Sequence, residues 1–357
     1  MKRLPLAAAL AAFFIFLLMA VSVRQAVLML VGVGMGAALA GARFGFTTGW
    51  RQLIEQKDPR GVTGQVLLLA LASLAALPLL GQFPELHAAL GPPSVSLLVG
   101  AFVFGLTMQI ADGCGSGTLY KAGLGVPLNM GILPLFALGS FLGSVHLDRW
   151  LALGQMEPVG FSTSLGTGGA LGLTLLLLVL VLAAVRAWVG PGRAWFARRW
   201  VLGAVALAVL ATINLLLAGQ PWGVVYGFGL WAAKASTALG LFDPAGNAFW
   251  SQPGNAQRIG QNVLMDVTTI TNIGILGGAL WVSATAASDH KPLSGAQWGI
   301  GLLAGFVMGY SSRLAFGCNI GAMLSGISTG SLHGWLWVPL AFAGTLIGVR
   351  VRRHYQF

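Results

Sequence analysis

Charged residues are scarce in this sequence. Only 8% of its 357 residues are Asp, Glu, Lys or Arg, whereas a soluble domain carries about 25%. Hydrophobic residues make up 56% of the chain, and the mean hydropathy is +0.82. The net charge of +11 comes from cations in short loops between apolar runs, where their partner is the anionic face of a lipid bilayer. The composition excludes a soluble enzyme, a nucleic-acid binder and a disordered chain, and it predicts an all-α polytopic membrane protein.

Motifs for metals, disulfides and nucleotides are also missing. The two cysteines, Cys114 and Cys318, are too far apart for a CxxC motif, and the five histidines form no HxxxH pair. No metal site and no cofactor are therefore expected. The chain has no GxGxxG or Walker loop before a helix, which argues against ATP-driven transport within it.

Apolar runs long enough to cross a bilayer fill most of the chain. We predict about nine to ten complete transmembrane helices, with short broken or re-entrant helices between them. Residues 4–23 are interpreted as a retained helix, with a signal peptide as the alternative. The further runs are 26–41, 62–80, 94–110, 131–147, 169–189, 200–218, 222–241, 260–285, 297–311 and 334–349.

Positive residues predict the orientation, because Lys and Arg in short loops mark the cytoplasmic side. The 81–93 segment has neither residue and is placed outside. Both termini are predicted to be cytoplasmic. The segments that carry the cytoplasmic cations are Lys2–Arg3, 43–60, the loop 186–199 and 350–353.

Two segments of the chain resemble each other. GLTMQIADGCGSGTLYKAG (105–123) and GYSSRLAFGCNIGAMLSG (309–326) each have Gly nine residues, Ala three residues and Gly one residue before Cys. GARFGF (41–46) matches GVVYGF (223–228), and Gly-x3-Gly pairs follow both cysteines. We predict one transmembrane domain over 1–357, with repeat 1 at 26–149 and repeat 2 at 200–349. The loop after GARFGF is the more basic one, which favours two inverted-topology repeats.

The GC segments interrupt apolar helices, and glycine lets the backbone leave helical geometry there. A helix that restarts near Ser116 or Asn319 would direct free N–H groups at the break, which suits an anion. In an apolar site the thiol stays protonated, and it can donate a weak hydrogen bond to a soft anion. The alternative is that both cysteines are small buried hydrophobes. The predicted substrate-contacting residues are Cys114, Cys318, Gly113, Gly115, Ser116, Gly317, Asn319 and Arg313.

Charged residues at membrane depth are candidates for function. Arg313 could attract an anion. Asp112 could pair with Lys121 or with Arg313, and the alternative for all of them is a structural ion pair. Asp266 lies within the 260–285 run, and no role is assigned to it from the sequence.

At these residues the sequence resembles the YeeE/YedE family of sulfur-compound transporters. The resemblance rests on ADGCGSG (111–117), AFGCNIG (315–321) and GQPWGVVYGF (219–228), and it extends from residue 26 to residue 349. It implies a bacterial inner-membrane protein with an hourglass-like inverted-repeat fold. It also implies inward transfer of thiosulfate or a related sulfur anion between cysteine thiols, with Cys114 and Cys318 as the two central thiols.

One position departs from the family pattern. Thiosulfate-transporting members resemble one another in a third cysteine within an FCF-like segment, and here that segment reads Phe44-Gly45-Phe46. Another sulfur or selenium species is therefore an alternative substrate, and the nearby Thr47 and Thr48 could offer hydroxyl groups.

Three functions remain open from the sequence. The first is a transporter, not an enzyme, for a small sulfur-containing anion, with a cytoplasmic sulfurtransferase as a candidate partner. The second is a membrane sulfurtransferase or persulfide carrier that uses Cys114 or Cys318. The third is a membrane subunit that only scaffolds a partner.

Overall fold

The computed structural model describes residues 3–284 and 292–357, which form helices and loops without a named strand. Lys2 and residue 285 lie outside the described residues. In chain order the α-helices are α1 (Arg3–Ala20), α2 (Val23–Gly41), α3 (Phe46–Gln56), α4 (Arg60–Gln82), α5 (Val95–Ile110), α6 (Gly115–Gly123), α7 (Pro127–Val145), α8 (Leu147–Leu151), α9 (Phe161–Val189), α10 (Arg198–Ala218), α11 (Val225–Ala238), α12 (Pro253–Gly260), α13 (Val267–Ser283), α14 (Gly295–Leu314) and α15 (Leu332–His354). A π-helix, Asn319–Gly326, follows α14.

The helix lengths confirm the predicted number of spans. Within the described chain, nine helical segments are long and apolar enough to cross a membrane, and the apolar helix α13 has 17 residues. Large apolar side chains such as Met19, Leu176 and Leu180 point out of the molecule. Such surfaces are stable only against lipid, so the chain is a multi-pass membrane protein.

Two predicted runs are shorter as helices than as apolar sequence. The run 222–241 contains only the 14 residues of α11. The run 260–285 becomes helical at Val267, because the Asp266 carboxylate caps α13 by accepting from the Thr269 amide N–H at 2.7 Å. The predicted loop 186–199 is also shorter, since α9 ends at Val189 and α10 begins at Arg198.

The long helices pack as four parallel pairs, α2 with α13, α4 with α10, α5 with α15, and α7 with α14. The direction follows from paired positions that rise together along both helices. Gly139 lies against Phe306 and Gly143 against Tyr310, for example. A parallel pair places the same ends of both helices on one side of the membrane.

Glycines at these crossings occupy matching places relative to the two cysteines. Gly139 and Gly143 pack on Phe306 and Tyr310, which precede Cys318 by 12 and 8 residues. The pair Gly344 and Gly348 packs on Phe102 and Leu106, which precede Cys114 by the same 12 and 8 residues. None of the four glycines has room for a Cβ, so the helix backbones touch directly.

The two ends of the helix bundle differ in charge. One end carries the Asp58–Arg60 and Glu55–Arg353 ion pairs and the cations around Asp112, and we call it the basic face. The other end, the opposite face, holds the loop in which the His87 amide N–H donates to the Gly219 carbonyl. Helices α4 and α15 each run between these two faces.

Candidate transport site

The backbone leaves helical geometry in the same way before both cysteines. Asp112 and Phe316, each two residues before a cysteine, have positive φ angles of 52° and 55°. Non-glycine residues rarely adopt this left-handed conformation. The amide N–H of Gly113 then donates to Met108, and that of Gly317 donates to Ser312, each over five residues. The predicted breaks at Gly113 and Gly317 are therefore present, and they are built alike.

The cysteines themselves are the N-cap residues of the helices that follow. Cys114 (φ −82°, ψ −170°) caps α6, and Cys318 (φ −99°, ψ −165°) caps the π-helix. The Ile320 amide N–H donates to the Cys318 sulfur at 3.4 Å, and the Ser116 hydroxyl lies 3.4 Å from the Cys114 sulfur. Ser116 and Asn319 thus lie inside the first turn, one or two residues beyond the cap.

Both thiols reach the first turn of α6. A Cβ added to Gly115 would lie 3.3 Å from the Cys318 sulfur and 3.4 Å from the Phe136 ring. One added to Gly117 would lie 3.5 Å from the Cys114 sulfur. Both cysteines are reduced and fully buried. The fold therefore brings together the two thiols and the glycines that the sequence singles out.

Asn319 has unused hydrogen-bonding capacity beside Cys318. Its side chain is fully buried, and neither its Nδ2 nor its Oδ1 has a hydrogen-bond partner among the described residues. A buried amide without partners costs about 1–3 kcal/mol. Such a group is expected where a ligand supplies the missing partner.

Asp112 lies in a cluster of three cations on the basic face. Its carboxylate contacts the Lys121 ammonium at 2.6 Å, the Arg51 guanidinium at 2.9 Å and the Arg352 guanidinium at 3.2 Å. Lys121 also donates to the Asp112 carbonyl oxygen. The expected pairing with Lys121 is present, and the pairing with Arg313 is not. Arg51 and Arg352 carry no sequence signal of this role, because they lie far from Asp112 in the chain.

Arg313 lies at the opposite face. Its guanidinium is 4.8 Å from the centre of the Phe249 ring and 5.7 Å from that of Tyr226. The guanidinium of Arg258 lies over the same Tyr226 ring at 4.9 Å. The Nε of Arg313 is buried and has no hydrogen-bond partner among the described residues. The two cations that share this aromatic ring form a positive site, of which the sequence predicts only Arg313.

Gly45 lies against hydroxyl groups. A Cβ added there would be 2.8 Å from the Thr48 hydroxyl oxygen and 3.6 Å from the Tyr120 hydroxyl oxygen. Thr47, its other predicted hydroxyl neighbour, is buried, and its hydroxyl has no partner among the described residues. The position that departs from the family pattern therefore lies beside two hydroxyl oxygens.

The helices and these breaks define a class of protein: a multi-pass membrane protein with two buried thiols at matched helix breaks in its core. Residues 41–347 match the family described as Sulphur transport, so the chain belongs to that family, the YeeE/YedE family of the resemblance. This match covers all the predicted site residues.

Named relatives extend the comparison. The chain is 28% identical to the thiosulfate transporter TsuA of Spirochaeta thermophila over 332 residues, which cover 86% of this chain and 93% of that protein. It is 21% identical to TsuA of Escherichia coli over 354 residues, covering 91% and 95% of the two chains. The probable transporter YedE of Escherichia coli is 25% identical over 169 residues, covering 46% of this chain and 40% of YedE.

Proposed function

We propose that this protein takes up a small sulfur-containing anion, thiosulfate first among them, across the bacterial inner membrane. The observation that carries the proposal is the pair of thiols at two similarly built helix breaks, both against the first turn of α6. The names of the full-length relatives support thiosulfate as the substrate.

The site can bind an anion without a charged group in contact with it. Because the Cys318 sulfur accepts a hydrogen bond from the Ile320 amide, its S–H proton is free to point towards a substrate. The Asn319 amide group offers two further donors beside it. The thiols of Cys318 and then Cys114 would contact the anion in turn as it passes Gly115. Weak neutral donors hold a divalent anion loosely, which allows it to leave again.

We further propose that the two halves are inverted repeats that meet at these thiols in an hourglass-like arrangement. The matched φ angles, N-cap cysteines and glycine crossings support a common origin for 26–149 and 200–349. The long helices support inversion, since Ser96 at the start of α5 donates to Leu314 at the end of α14. The helices that lead into the two breaks therefore run in opposite directions.

The basic face is proposed to be cytoplasmic, with both termini on that side. The cations of the Asp112 cluster, Arg60 and Arg353 all lie there, and an excess of Lys and Arg marks cytoplasmic loops. On this orientation Arg313 and Arg258 lie on the uptake side, where they attract the anion towards Cys318. Ser116 and the glycines of the breaks shape the path between the faces.

Inward movement of a divalent anion works against the membrane potential, at about 2.3 kcal/mol per charge per 100 mV. Removal of the anion inside the cell would make the overall process favourable. A cytoplasmic sulfurtransferase that consumes the anion is therefore the proposed protein partner.

Uptake of radiolabelled thiosulfate into cells without their own sulfur transporters tests the function. We expect uptake by the natural protein and a fall of about tenfold or more in Cys114→Ala and Cys318→Ala, because losing a hydrogen bond to an anion costs about 1.5–3 kcal/mol. Gly172→Ala, in an open part of α9, is the control and should transport normally.

Competition with sulfite, sulfide and selenite in the same assay identifies the preferred anion. No uptake by the natural protein would remove thiosulfate as the substrate. Unchanged uptake in both cysteine variants would remove the thiol role. A stable gain of one sulfur atom on either cysteine, seen by mass spectrometry after exposure to a sulfane donor, would instead favour the persulfide carrier.

A further inference from the structure

The Asp112 cluster holds more positive than negative charge. Arg51 comes from α3, Lys121 from α6 and Arg352 from α15, and all three contact one carboxylate. Glu55 is another acidic side chain on the basic face, and it is already paired with Arg353 at 2.8 Å. Two positive charges therefore remain without a carboxylate from the described part of the chain. Each of the three cationic side chains is at most 17% exposed.

A cavity opens directly beside this cluster. Its volume is about 530 Å³, and its lining includes Asp112, Arg352, Asn129, Gln297 and Trp298. The space is large enough for a small hydrated anion, and its lining holds the Arg352 guanidinium beside the Asp112 carboxylate.

We propose that the Asp112 cluster is a binding site for small divalent oxyanions, such as thiosulfate or sulfate, at the basic-face end of the path. An anion that enters the cavity would meet Arg352 in its lining. By displacing the Asp112 carboxylate it would also reach Arg51 and Lys121, which contact that carboxylate. Guanidinium groups suit this role, because their paired N–H donors match the oxygens of such anions.

Asp112 has a second task in this site, which is to release the anion. Its carboxylate competes for the same three cations, so it lowers the affinity and returns to them as the anion leaves. Asp112 is also the residue with the left-handed backbone two positions before Cys114. Asp112 therefore connects the anion site to the thiol site, because it belongs to the helix break before Cys114. Release of the anion towards the cytoplasm rests on the proposed function, whereas binding of the anion at the cluster does not.

Isothermal titration of the full chain in detergent micelles with thiosulfate or sulfate tests the site. The measurements use a Cys114→Ala/Cys318→Ala background, which removes binding at the thiols. We expect Arg352→Gln and Arg51→Gln each to weaken binding by about tenfold or more. Asp112→Asn should tighten it by about tenfold, because the competing charge is gone. Arg60→Gln, on the same face but paired with Asp58 instead of Asp112, is the matched control and should bind as its parent does.

Uptake kinetics supply the second readout, with the natural cysteines in place. In Asp112→Asn we expect both KM and the maximal rate to fall, since the anion binds more tightly and leaves more slowly.

Equal affinities in the parent, Arg352→Gln, Arg51→Gln and Asp112→Asn would overturn the proposal even if thiosulfate uptake is normal. Altered affinities in a protein that transports nothing would uphold the site and reject the transport function. The unfolding temperature of each variant, measured without anion, distinguishes a folded variant that binds weakly from one that is misfolded. Lys121→Gln replaces any arginine variant that does not fold.

Discussion

At the scale of single residues, the candidate site contains a buried polar side chain whose hydrogen-bonding groups have no partner among the described residues. The Asn319 amide is fully buried and has no hydrogen-bond partner among the described residues. A protein that needed only stability would place an apolar residue of similar size there. Ser116, by contrast, has the Cys114 sulfur within 3.4 Å. Asn319 is therefore the residue at which stability and transport should respond in opposite directions.

Asn319→Leu is expected to raise the free energy of unfolding by about 1 kcal/mol, since a buried amide without partners costs about 1–3 kcal/mol. The same substitution should lower thiosulfate uptake, because two donors beside Cys318 are lost. Denaturant unfolding in detergent micelles and the uptake assay measure the two effects. A less stable variant with normal uptake would show that Asn319 serves the fold rather than the substrate.

At the scale of helices, direct backbone contact sets the position of each break. Gly344 and Gly348 bring α15 onto α5, and Gly139 and Gly143 bring α7 onto α14. Because these contacts lie 12 and 8 residues before each cysteine, they position the two thiols in the same way. A change in the distance between either pair of helices would move a cysteine that is more than one helical turn away.

Gly344→Ala and Gly139→Ala should each lower the free energy of unfolding by about 1–3 kcal/mol, because a Cβ at either position overlaps the facing backbone. Gly172→Ala has open space around it and should stabilise α9 by up to about 1 kcal/mol. Denaturant unfolding of the three variants under one set of conditions provides the comparison. Equal stability of Gly344→Ala and Gly172→Ala would mean that α5 and α15 can separate without cost.

At the scale of the whole molecule, the distribution of charged residues supports the proposed orientation. The described ion pairs Asp58–Arg60 and Glu55–Arg353 and the Asp112 cluster lie on the basic face. The loop around His87 lies at the other end of the same helices. Since both native cysteines are buried, an introduced surface cysteine would be the only accessible thiol among the described residues.

Labelling with a membrane-impermeant maleimide tests this orientation. His87→Cys should react in intact cells, because His87 is exposed on the opposite face. Arg193→Cys, exposed in the connection between α9 and α10, should react only after the membrane is permeabilised. The natural protein is the control and should stay unlabelled in both conditions. The reverse pattern would place the basic face outside and invert the proposed direction of uptake.

The sequence by itself determined the membrane class, the approximate spans and the positions of the two breaks. These features are local: hydropathy over about 20 residues defines a span, and the Gly-Cys pairs at 113–114 and 317–318 mark where a helix must stop. The family resemblance follows from the same short segments. Helix ends were less predictable, since α13 begins at Val267 through the Asp266 cap rather than where the apolar run begins.

Only the tertiary structure decided which distant residues meet. Arg51 and Arg352 join Asp112, Phe136 lies against Gly115, and Arg313 contacts Tyr226 instead of Asp112. Membrane helices are apolar on most sides, so hydropathy does not select their partners. Close backbone packing and a few buried polar groups make that selection, and their effect is visible only when segments some 200 residues apart lie side by side.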